Sequence, residues 1–280
     1  MAAVAAPFSR LAAVLTAAVC LGFGIEESCV AQTMPDELVV IYRQYVAPAL
    51  APPIEEQSLY ADFVRKALQD NVPESPQYVI LVDRSAQVQA IFLFWLEEGK
   101  SPLFIGASPV STGRVGQYDH FETPTGVFEH SIDNPDFRAE GTKNALGVRG
   151  YGVKGMRVFD FGWQQATRGW GSGGLSTMRL QMHATDPTLL ESRLGTIQSK
   201  GCIRIPASLN RLLDAYGIID ADYEAAVSNG IHLSVPMPAP RVHGPGRYLI
   251  VMDSQRTTRP EWATPPFFPR VTAVPLPPLR

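Results

Sequence analysis

The sequence predicts a mainly β domain preceded by a small helical segment, and two observations support this fold class. From Tyr78 onward, apolar and β-branched residues occur in short stretches separated by turn-forming residues, which is typical of strands. In residues 32–76, apolar residues recur instead at the spacing of a helix. With 280 residues, the chain can bury a hydrophobic core as one large domain with extensions or as two small domains.

Residues 1–31 have the outline of a signal peptide. Arg10 is followed by an apolar stretch from Leu11 to Phe23, and the small residues Cys29 and Ala31 suit cleavage before Gln32. The apolar stretch is short for a membrane-spanning helix, so an uncleaved anchor is the weaker alternative. We therefore expect an exported protein.

Cleavage at this point would leave a nearly neutral chain with one cysteine. The full sequence has 24 basic and 27 acidic residues, and loss of Arg10, Glu26 and Glu27 leaves 23 against 25, or a net charge of -2. This balance gives no general attraction to nucleic acid and favours a small or peptidic partner. The two cysteines of the leader would be lost, so Cys202 could form no internal disulfide.

The elements are predicted in chain order. Two helical stretches, on either side of Pro52, fill residues 32–76. A single helix begins near Pro206 and is terminated by Gly217. Strands are predicted at Tyr78 to Val82, Val88 to Trp95, Leu103 to Val110, Gly126 to His130, Met156 to Phe161, Met178 to His183, Ile231 to Val235 and Tyr248 to Met252.

These elements give provisional boundaries. We expect the main domain to span residues 77–236 and a strand extension to span 237–256. Residues 257–280 form a proline-rich tail, a composition that favours extended or disordered chain over packed structure.

One histidine and one cysteine carry the chemical signal. Apolar residues alternate along the strand that ends at His183, so its imidazole should point away from the core. Cys202 follows the turn-prone segment 199–201 and precedes the helix start at Pro206, so backbone amides could face a developing negative charge. A neighbouring histidine supplies the deprotonation that a nucleophilic cysteine needs. The alternative is a buried, inert cysteine and a structural histidine.

Other motifs are weaker. The glycines of Gly150–Gly155 match the spacing of a dinucleotide-binding loop, but they open a strand rather than a helix, so we interpret them as turn residues. One cysteine and five scattered histidines give no metal-ligand set. His120 and His130 could line a cleft, although ordinary loop and strand-end positions explain them more simply. The glycine- and tryptophan-rich segment 161–174 fits either a lid or a long anchored loop equally well.

The histidine and cysteine segments together resemble the L,D-transpeptidase catalytic domain family. His183 lies 19 residues before Cys202, and the block Ser199–Arg204 resembles the family's Ser-His-Gly-Cys signature with its following aliphatic residue and Asn or Arg. Lys200 departs from this pattern because the family has histidine there, and Ala184 stands where Gly or Ser is common. The resemblance covers roughly residues 78–236 and includes three upstream segments, 82–87, 110–113 and 123–128.

The resemblance implies a β-barrel or sandwich with a short helix after the cysteine. It also implies an enzyme in which Cys202 is the nucleophile, His183 is the general base and the Gly201 backbone contributes to an oxyanion site, with no cofactor or metal. Candidates for contacting the substrate are Arg204, Lys200, Ser199, Arg149 and Trp170.

The implied reaction takes place on peptidoglycan in the periplasm or cell envelope. The donor would be a tetrapeptide stem, cut between diaminopimelate and D-Ala, and the acceptor another stem or the lysine of a wall-attached protein. Carbapenem-type β-lactams would acylate the same thiol. Two alternatives use the same segment: hydrolysis, as an L,D-carboxypeptidase or wall-link hydrolase, and a non-catalytic wall-binding module in which Lys200 marks lost activity.

Overall fold

Two β-sheets and a few helices make up the fold in the computed structural model, which describes residues 32–68, 75–237 and 241–264. The strands in these ranges are β1 Gln77–Asp83, β2 Ala90–Leu96, β3 Leu103–Pro109, β4 Gly126–Glu129, β5 Phe137–Arg138, β6 Arg157–Thr167, β7 Leu175–Ala184, β8 Ile203–Ile205 and β9 Tyr248–Met252. The α-helices are α1 Pro35–Tyr45, α2 Ile54–Ala67, α3 Ala207–Tyr216 and α4 Ala221–Ser228. The prediction of a mainly β fold with an N-terminal helical segment is confirmed.

The first sheet has the strand order β3-β2-β1-β9-β4, and the second has the order β5-β6-β7-β8. The alternate residues of β1 face two different hydrophobic clusters. Tyr78, Ile80 and Val82 join the cluster shared with the second sheet and α1, whereas Val79 and Leu81 join the cluster beneath α2. Burial on both faces explains why β1 and β2 are continuous apolar runs rather than alternating ones.

The N-terminal helices are therefore part of the packed structure. Leu38 and Tyr42 of α1 are buried on one face of the first sheet, and Tyr60 and Val64 of α2 are buried on the other. Pro35 occupies the first turn of α1, and the Met34 amide donates to Glu37 Oε2 at 3.0 Å, an arrangement that satisfies one of the free amides at the helix start.

A buried ionic cluster joins the second sheet to the turn before α4. His130 donates from both ring nitrogens, to Ile219 O at 2.8 Å and to Asp136 Oδ1 at 2.9 Å. Arg157 donates from Nε to Asp136 at 2.6 Å and makes a bidentate contact with Asp220 at 2.7 and 2.8 Å. His130 is therefore a structural residue in the interior and does not line a cleft.

The helix predicted after the cysteine is confirmed as α3, which ends at Gly217 with a left-handed φ of 59°. The strand predicted at Ile231–Val235 is wrong. That segment is irregular, and the Ile231 amide instead donates to Ala226 O at 2.9 Å to close the end of α4. An apolar run forms a strand only when a neighbouring strand is available for hydrogen bonding, and this short segment has none among the described residues.

The C-terminal part is more integral than expected. β9 pairs with β1 on one side and β4 on the other, so it is an interior strand of the first sheet. Trp262 and Ala263 of the proline-rich tail pack against α2 and the first sheet. The structure therefore differs from the extended-tail expectation over 257–264, while residues 265–280 and the signal segment 1–31 lie outside the described ranges.

No helix within the described ranges has the length and apolar character needed to cross a bilayer.

Candidate active site

The pairing of β7 with β8 brings the predicted histidine and cysteine together. The two strands are parallel, and His183 pairs with Arg204. Continuing this register by one pair beyond Met182 and Ile203 places Cys202 beside Gln181. Because paired and alternate residues of neighbouring strands point to one face, the side chains of Gln181, His183, Cys202 and Arg204 share the same face of the second sheet.

Several hydrogen bonds hold the loop that carries Cys202. Ser199 Oγ accepts from the Gly201 amide at 3.0 Å and donates to Cys202 O at 2.5 Å. Thr123 Oγ1 donates to Gly201 O at 2.7 Å, and the Phe121 amide donates to Lys200 O at 3.0 Å. The thiol is thus presented by a braced turn rather than by a free loop.

Gly201 meets both a conformational and a steric requirement of this turn. Its φ is +134°, a region that residues with a side chain rarely adopt. A Cβ at this position would lie 2.8 Å from Met178 Sδ and 3.2 Å from Phe121 Cβ. Glycine is therefore needed directly before Cys202.

His183 is held as a neutral imidazole. Its Nδ1 lies 2.8 Å from the backbone oxygen of Ala184, which can only accept, so Nδ1 carries the proton and Nε2 has the free lone pair. Burial lowers the pKa of His183 to about 4, and the nearby Arg204 adds to this effect against the opposing hydrogen bond to Ala184. Because the contact uses a backbone carbonyl, alanine at position 184 serves as well as glycine or serine.

Cys202 is held as a thiol at rest. Burial raises its pKa and Asp160 acts in the same direction, against the Gln181 amide, Arg204 and its own amide. Its Sγ donates weakly to Arg179 O at 3.8 Å. A neutral thiol beside a neutral imidazole means that the proton moves when the sulfur attacks, rather than before substrate binds.

The two backbone amides that could hold an oxyanion, those of Gly201 and Cys202, differ in their hydrogen bonding. The Gly201 amide donates to Ser199 Oγ, so it is already engaged within the loop. The Cys202 amide donates to no backbone carbonyl in the described part of the chain. It points toward the sulfur of the same residue and lowers the pKa of that thiol. This amide, rather than that of Gly201, is positioned to meet negative charge that develops on an acyl carbonyl.

The candidate substrate contacts next to the cysteine separate into two groups. Arg204 lies on the face shared by His183 and Cys202, half-buried, with Nη1 donating to Gln198 O at 3.3 Å. Ser199 is buried and bonds only within the loop. Lys200 Nζ instead contacts Asp119 at 2.8 Å with side chains 62% and 58% exposed, which favours a solvated surface role.

The remaining two candidates lie in neighbouring loops. Arg149 donates from its amide and its Nη1 to Asp186, at 2.9 and 3.5 Å, so it braces the turn after β7. Trp170 packs edge-on against Phe121, with ring centroids 4.9 Å apart. The segment 161–174 is largely strand and turn of the β6–β7 hairpin, with Trp170 anchored in the turn, so the anchored-segment interpretation fits better than the lid.

Sequence reasoning missed the residues that cover and flank the pair. Tyr151 places its ring edge-on to His183, with centroids 4.7 Å apart, and its hydroxyl donates to Gln181 Oε1 at 3.2 Å. Gln181 Nε2 in turn donates to the buried Asp160 at 2.8 Å. In the sequence, Tyr151 is marked only by its position between two turn glycines, Gly150 and Gly152, which does not indicate a contact with His183.

This geometry supports one kind of chemistry. A thiol, a neutral imidazole beside it and an available amide are the groups that acyl transfer through a thioester requires. Within the described residues, no cluster of histidine, cysteine and carboxylate side chains could hold a metal ion.

Comparison with known proteins gives the same assignment. The family model described as the L,D-transpeptidase catalytic domain matches residues 77–218. No curated protein matches the chain.

Proposed function

This chain belongs to the L,D-transpeptidase catalytic domain family, and from that premise we propose that it is a peptidoglycan L,D-transpeptidase. The family's enzymes are cysteine-dependent and act on peptidoglycan stem peptides. In the proposed reaction, Cys202 forms a thioester with a tetrapeptide stem, releases D-Ala and transfers the acyl group to an amine.

The observation that carries the proposal is the state of His183 beside Cys202. The Nδ1 contact with Ala184 O leaves Nε2 as the proton acceptor on the face shared with the thiol. Since the pKa of His183 is lowered to about 4, the imidazole is neutral across the physiological range and competent as a base.

The proposed acylation step uses these two side chains. As Cys202 Sγ attacks the carbonyl carbon of the L-centre of diaminopimelate, its proton passes to His183 Nε2. The Cys202 amide stabilises the oxyanion of the tetrahedral intermediate. Collapse breaks the amide bond, and His183 returns the proton to the departing nitrogen of D-Ala, leaving a thioester and a neutral imidazole.

Deacylation repeats the same steps with an amine. The acceptor nitrogen attacks the thioester and gives a proton to His183, the carbon–sulfur bond breaks, and the thiolate recovers that proton. The acceptor would be a second stem peptide or the lysine of a wall-attached protein. Water in place of the amine would give the tripeptide and an L,D-carboxypeptidase.

A non-catalytic wall-binding role has less support. It relied on Lys200 as a sign of lost activity, but that side chain extends to Asp119 at the surface, and the cation that acts on the thiol is Arg204. The proposed location is the periplasm or cell envelope, because peptidoglycan is the substrate and residues 1–31 have the outline of a signal peptide.

The test is product mass spectrometry on the chain from Gln32 with a disaccharide-tetrapeptide, with and without an added D-amino acid. Release of D-Ala together with stem dimers or D-amino-acid exchange supports transpeptidation. Tripeptide alone would instead identify a carboxypeptidase. No conversion by a folded protein, matched by the Cys202→Ala variant, would contradict the proposal.

A further inference from the structure

Arg179 is a further basic side chain on the face that carries Cys202. Arg179 is on β7, two and four residues before Gln181 and His183, so it occupies the same face. Its backbone oxygen is the group that accepts from the Cys202 thiol at 3.8 Å. The backbone of Arg179 therefore contacts the Cys202 sulfur directly, and its side chain extends from that point.

Two contacts fix the direction of the Arg179 side chain. Its Nε donates to Asp160 Oδ2 at 2.8 Å, and Asp160 is buried and also accepts from the Gly162 amide and from Gln181. The guanidinium carbon lies 5.7 Å from the ring centre of Trp163, the residue opposite Arg179 on β6. An arginine held at Nε and against an indole loses little further freedom when it binds a ligand.

The outer edge of this guanidinium is free. The side chain is 37% exposed, and its Nη1 and Nη2 donate to no group in the described part of the chain. These two nitrogens carry parallel N–H bonds that match the two oxygens of a carboxylate. Asp160 faces Nε only, so the edge that points to solvent is the one suited to an anion.

In the described strands, the charged side chains on this face of the sheet are two arginines and one aspartate. Arg204 lowers the pKa of the Cys202 thiol and Asp160 raises it, and Arg179 is joined to Asp160 through its Nε. Two guanidinium cations thus flank the Cys–His pair along the sheet, with one carboxylate to balance them. A peptide with carboxylates near its reactive carbonyl complements this arrangement.

We propose that Arg179 is a specificity-determining residue that binds a carboxylate of the acyl-donor peptide, so that anionic donors are selected. This rests on the proposed function. The stem donor has two such groups close to the scissile bond, the α-carboxylate of the leaving D-Ala and the side-chain carboxylate of diaminopimelate. Their chemistry is the same, and the donor series below separates them.

The first test needs no peptide and measures the field at the thiol. Cys202 is alkylated at alkaline pH with anionic iodoacetate and with neutral iodoacetamide, and the ratio of the two rates is compared between variants. The ratio cancels any change in thiolate fraction, because both reagents attack the same thiolate. Removing Arg179 would also leave the Asp160 carboxylate without its cation. To exclude that second charge effect, Arg179→Gln is introduced into a protein that already carries Asp160→Asn.

In that background, Arg179→Gln should lower the iodoacetate-to-iodoacetamide ratio roughly fivefold, the size expected for loss of one partly exposed charge. Arg65→Gln, a charge removal in α2 at the exposed pair with Asp62, should leave the ratio unchanged. An unchanged ratio in Arg179→Gln, or an equal fall in Arg65→Gln, would overturn the proposal.

The second test compares tetrapeptide donors that are amidated at the D-Ala carboxylate, at the diaminopimelate carboxylate, or at neither. Arg179→Gln should raise KM for the unmodified donor roughly tenfold with kcat within about twofold, the pattern of a lost binding contact. The amidated donor that no longer responds to Arg179→Gln identifies the bound carboxylate. An equal rise in KM for all three donors, or a fall in kcat alone, would refute carboxylate binding.

The two tests separate the two proposals. If the wild-type protein turns over no stem donor, the proposed function fails while the alkylation ratio still reports on Arg179. If it turns over stem donors and the ratio does not respond, the proposed function stands and the role of Arg179 fails.

Discussion

At the scale of single residues, the candidate pair could be identified from the sequence but its protonation could not. His183 and Cys202 follow from residue type, spacing and strand pattern. The neutral imidazole and the protonated thiol depend on burial and on Arg204, Asp160 and Ala184 O, which are brought in by the fold. The sequence motif alone is equally compatible with the charged form of the pair, a thiolate beside an imidazolium.

The pH dependence of acylation reports this protonation state. With the pKa of His183 lowered to about 4, the imidazole stays a base as pH falls through the usual histidine range and is lost only as pH approaches 4. We expect kcat/KM for acylation by a carbapenem to be nearly constant from pH 7 to about 5.5 and to fall below that. Stopped-flow acylation at constant ionic strength measures this profile, and a midpoint near 6.5 would show that His183 is not the buried neutral base described.

Gly201 permits a second prediction at this scale. Gly201→Ala should reduce acylation by orders of magnitude, because the new Cβ would meet Met178 and Phe121 in a turn with φ of +134°. Gly99→Ala is the matched control, since it also has a positive φ, of +70°, but open space around it. We expect the control to lose about 1 kcal/mol of stability and to be acylated normally by a carbapenem; equal acylation of the two variants would show that Gly201 does not place the thiol.

At the scale of elements, prediction succeeded where a strand or helix has its own pattern. β1, β2 and β9 are long apolar runs, and α3 has a full stripe ended by Gly217. The three-residue β8 was missed because Ile203–Ile205 is too short to show a period. Yet β8 is the strand that aligns Cys202 with His183, so the site geometry depended on the least predictable element.

The brace on the Cys202 loop can be tested at this scale. Thr123 is buried, and its hydroxyl donates to Gly201 O and accepts from the Gly113 amide. Thr123→Val keeps the shape but leaves both backbone groups without a partner, at a cost of about 1–3 kcal/mol. We expect slower acylation of Cys202 as well as a lower unfolding midpoint in urea.

The control for this brace is two residues away. Thr125 is exposed, so Thr125→Val should change neither the acylation rate nor the urea midpoint by more than about 0.5 kcal/mol in stability. A Thr123→Val protein with a normal acylation rate would mean that the loop is held without this hydroxyl.

At the scale of the whole molecule, the second sheet is joined to the turn before α4 by an ionic cluster that no local pattern reveals. His130, Asp136, Arg157 and Asp220 are separated in sequence but meet in the interior. From the sequence, His130 has the position of an ordinary strand-end residue, because only the folded chain shows its partners. The same holds for β9, whose place between β1 and β4 follows from topology alone.

Removing one charge from this cluster should destabilise the protein strongly. Asp220→Asn leaves Arg157 with an incompletely paired buried charge, which costs about 3–5 kcal/mol. Asp62→Asn breaks only the exposed pair with Arg65 and should cost less than about 1 kcal/mol. Urea denaturation monitored by tryptophan fluorescence compares them, and similar costs would contradict a structural role for the cluster.

The cluster also predicts the direction of pH effects on stability. Burial lowers the pKa of His130, but Asp136 and Asp220 outweigh it and the pKa is raised. This contribution is complete below the pKa of an unfolded histidine and is lost as pH rises through the raised value. The lowered pKa of Asp136 acts oppositely: burial raises it, but His130 and Arg157 outweigh burial. Its contribution is present above the unfolded pKa of aspartate and is lost as pH falls.

The central claim is that Cys202, activated by His183, forms a thioester with the peptide donor. Intact-protein and peptide-mapping mass spectrometry after rapid acid quench with the tetrapeptide donor tests it most directly. We predict a tripeptide adduct on Cys202, formed with release of D-Ala, absent in Cys202→Ala and slowed by orders of magnitude in a folded His183→Gln variant. If the Cys202→Ala variant still releases D-Ala, or if the His183→Gln variant is acylated at the normal rate, the roles assigned to Cys202 and His183 are contradicted.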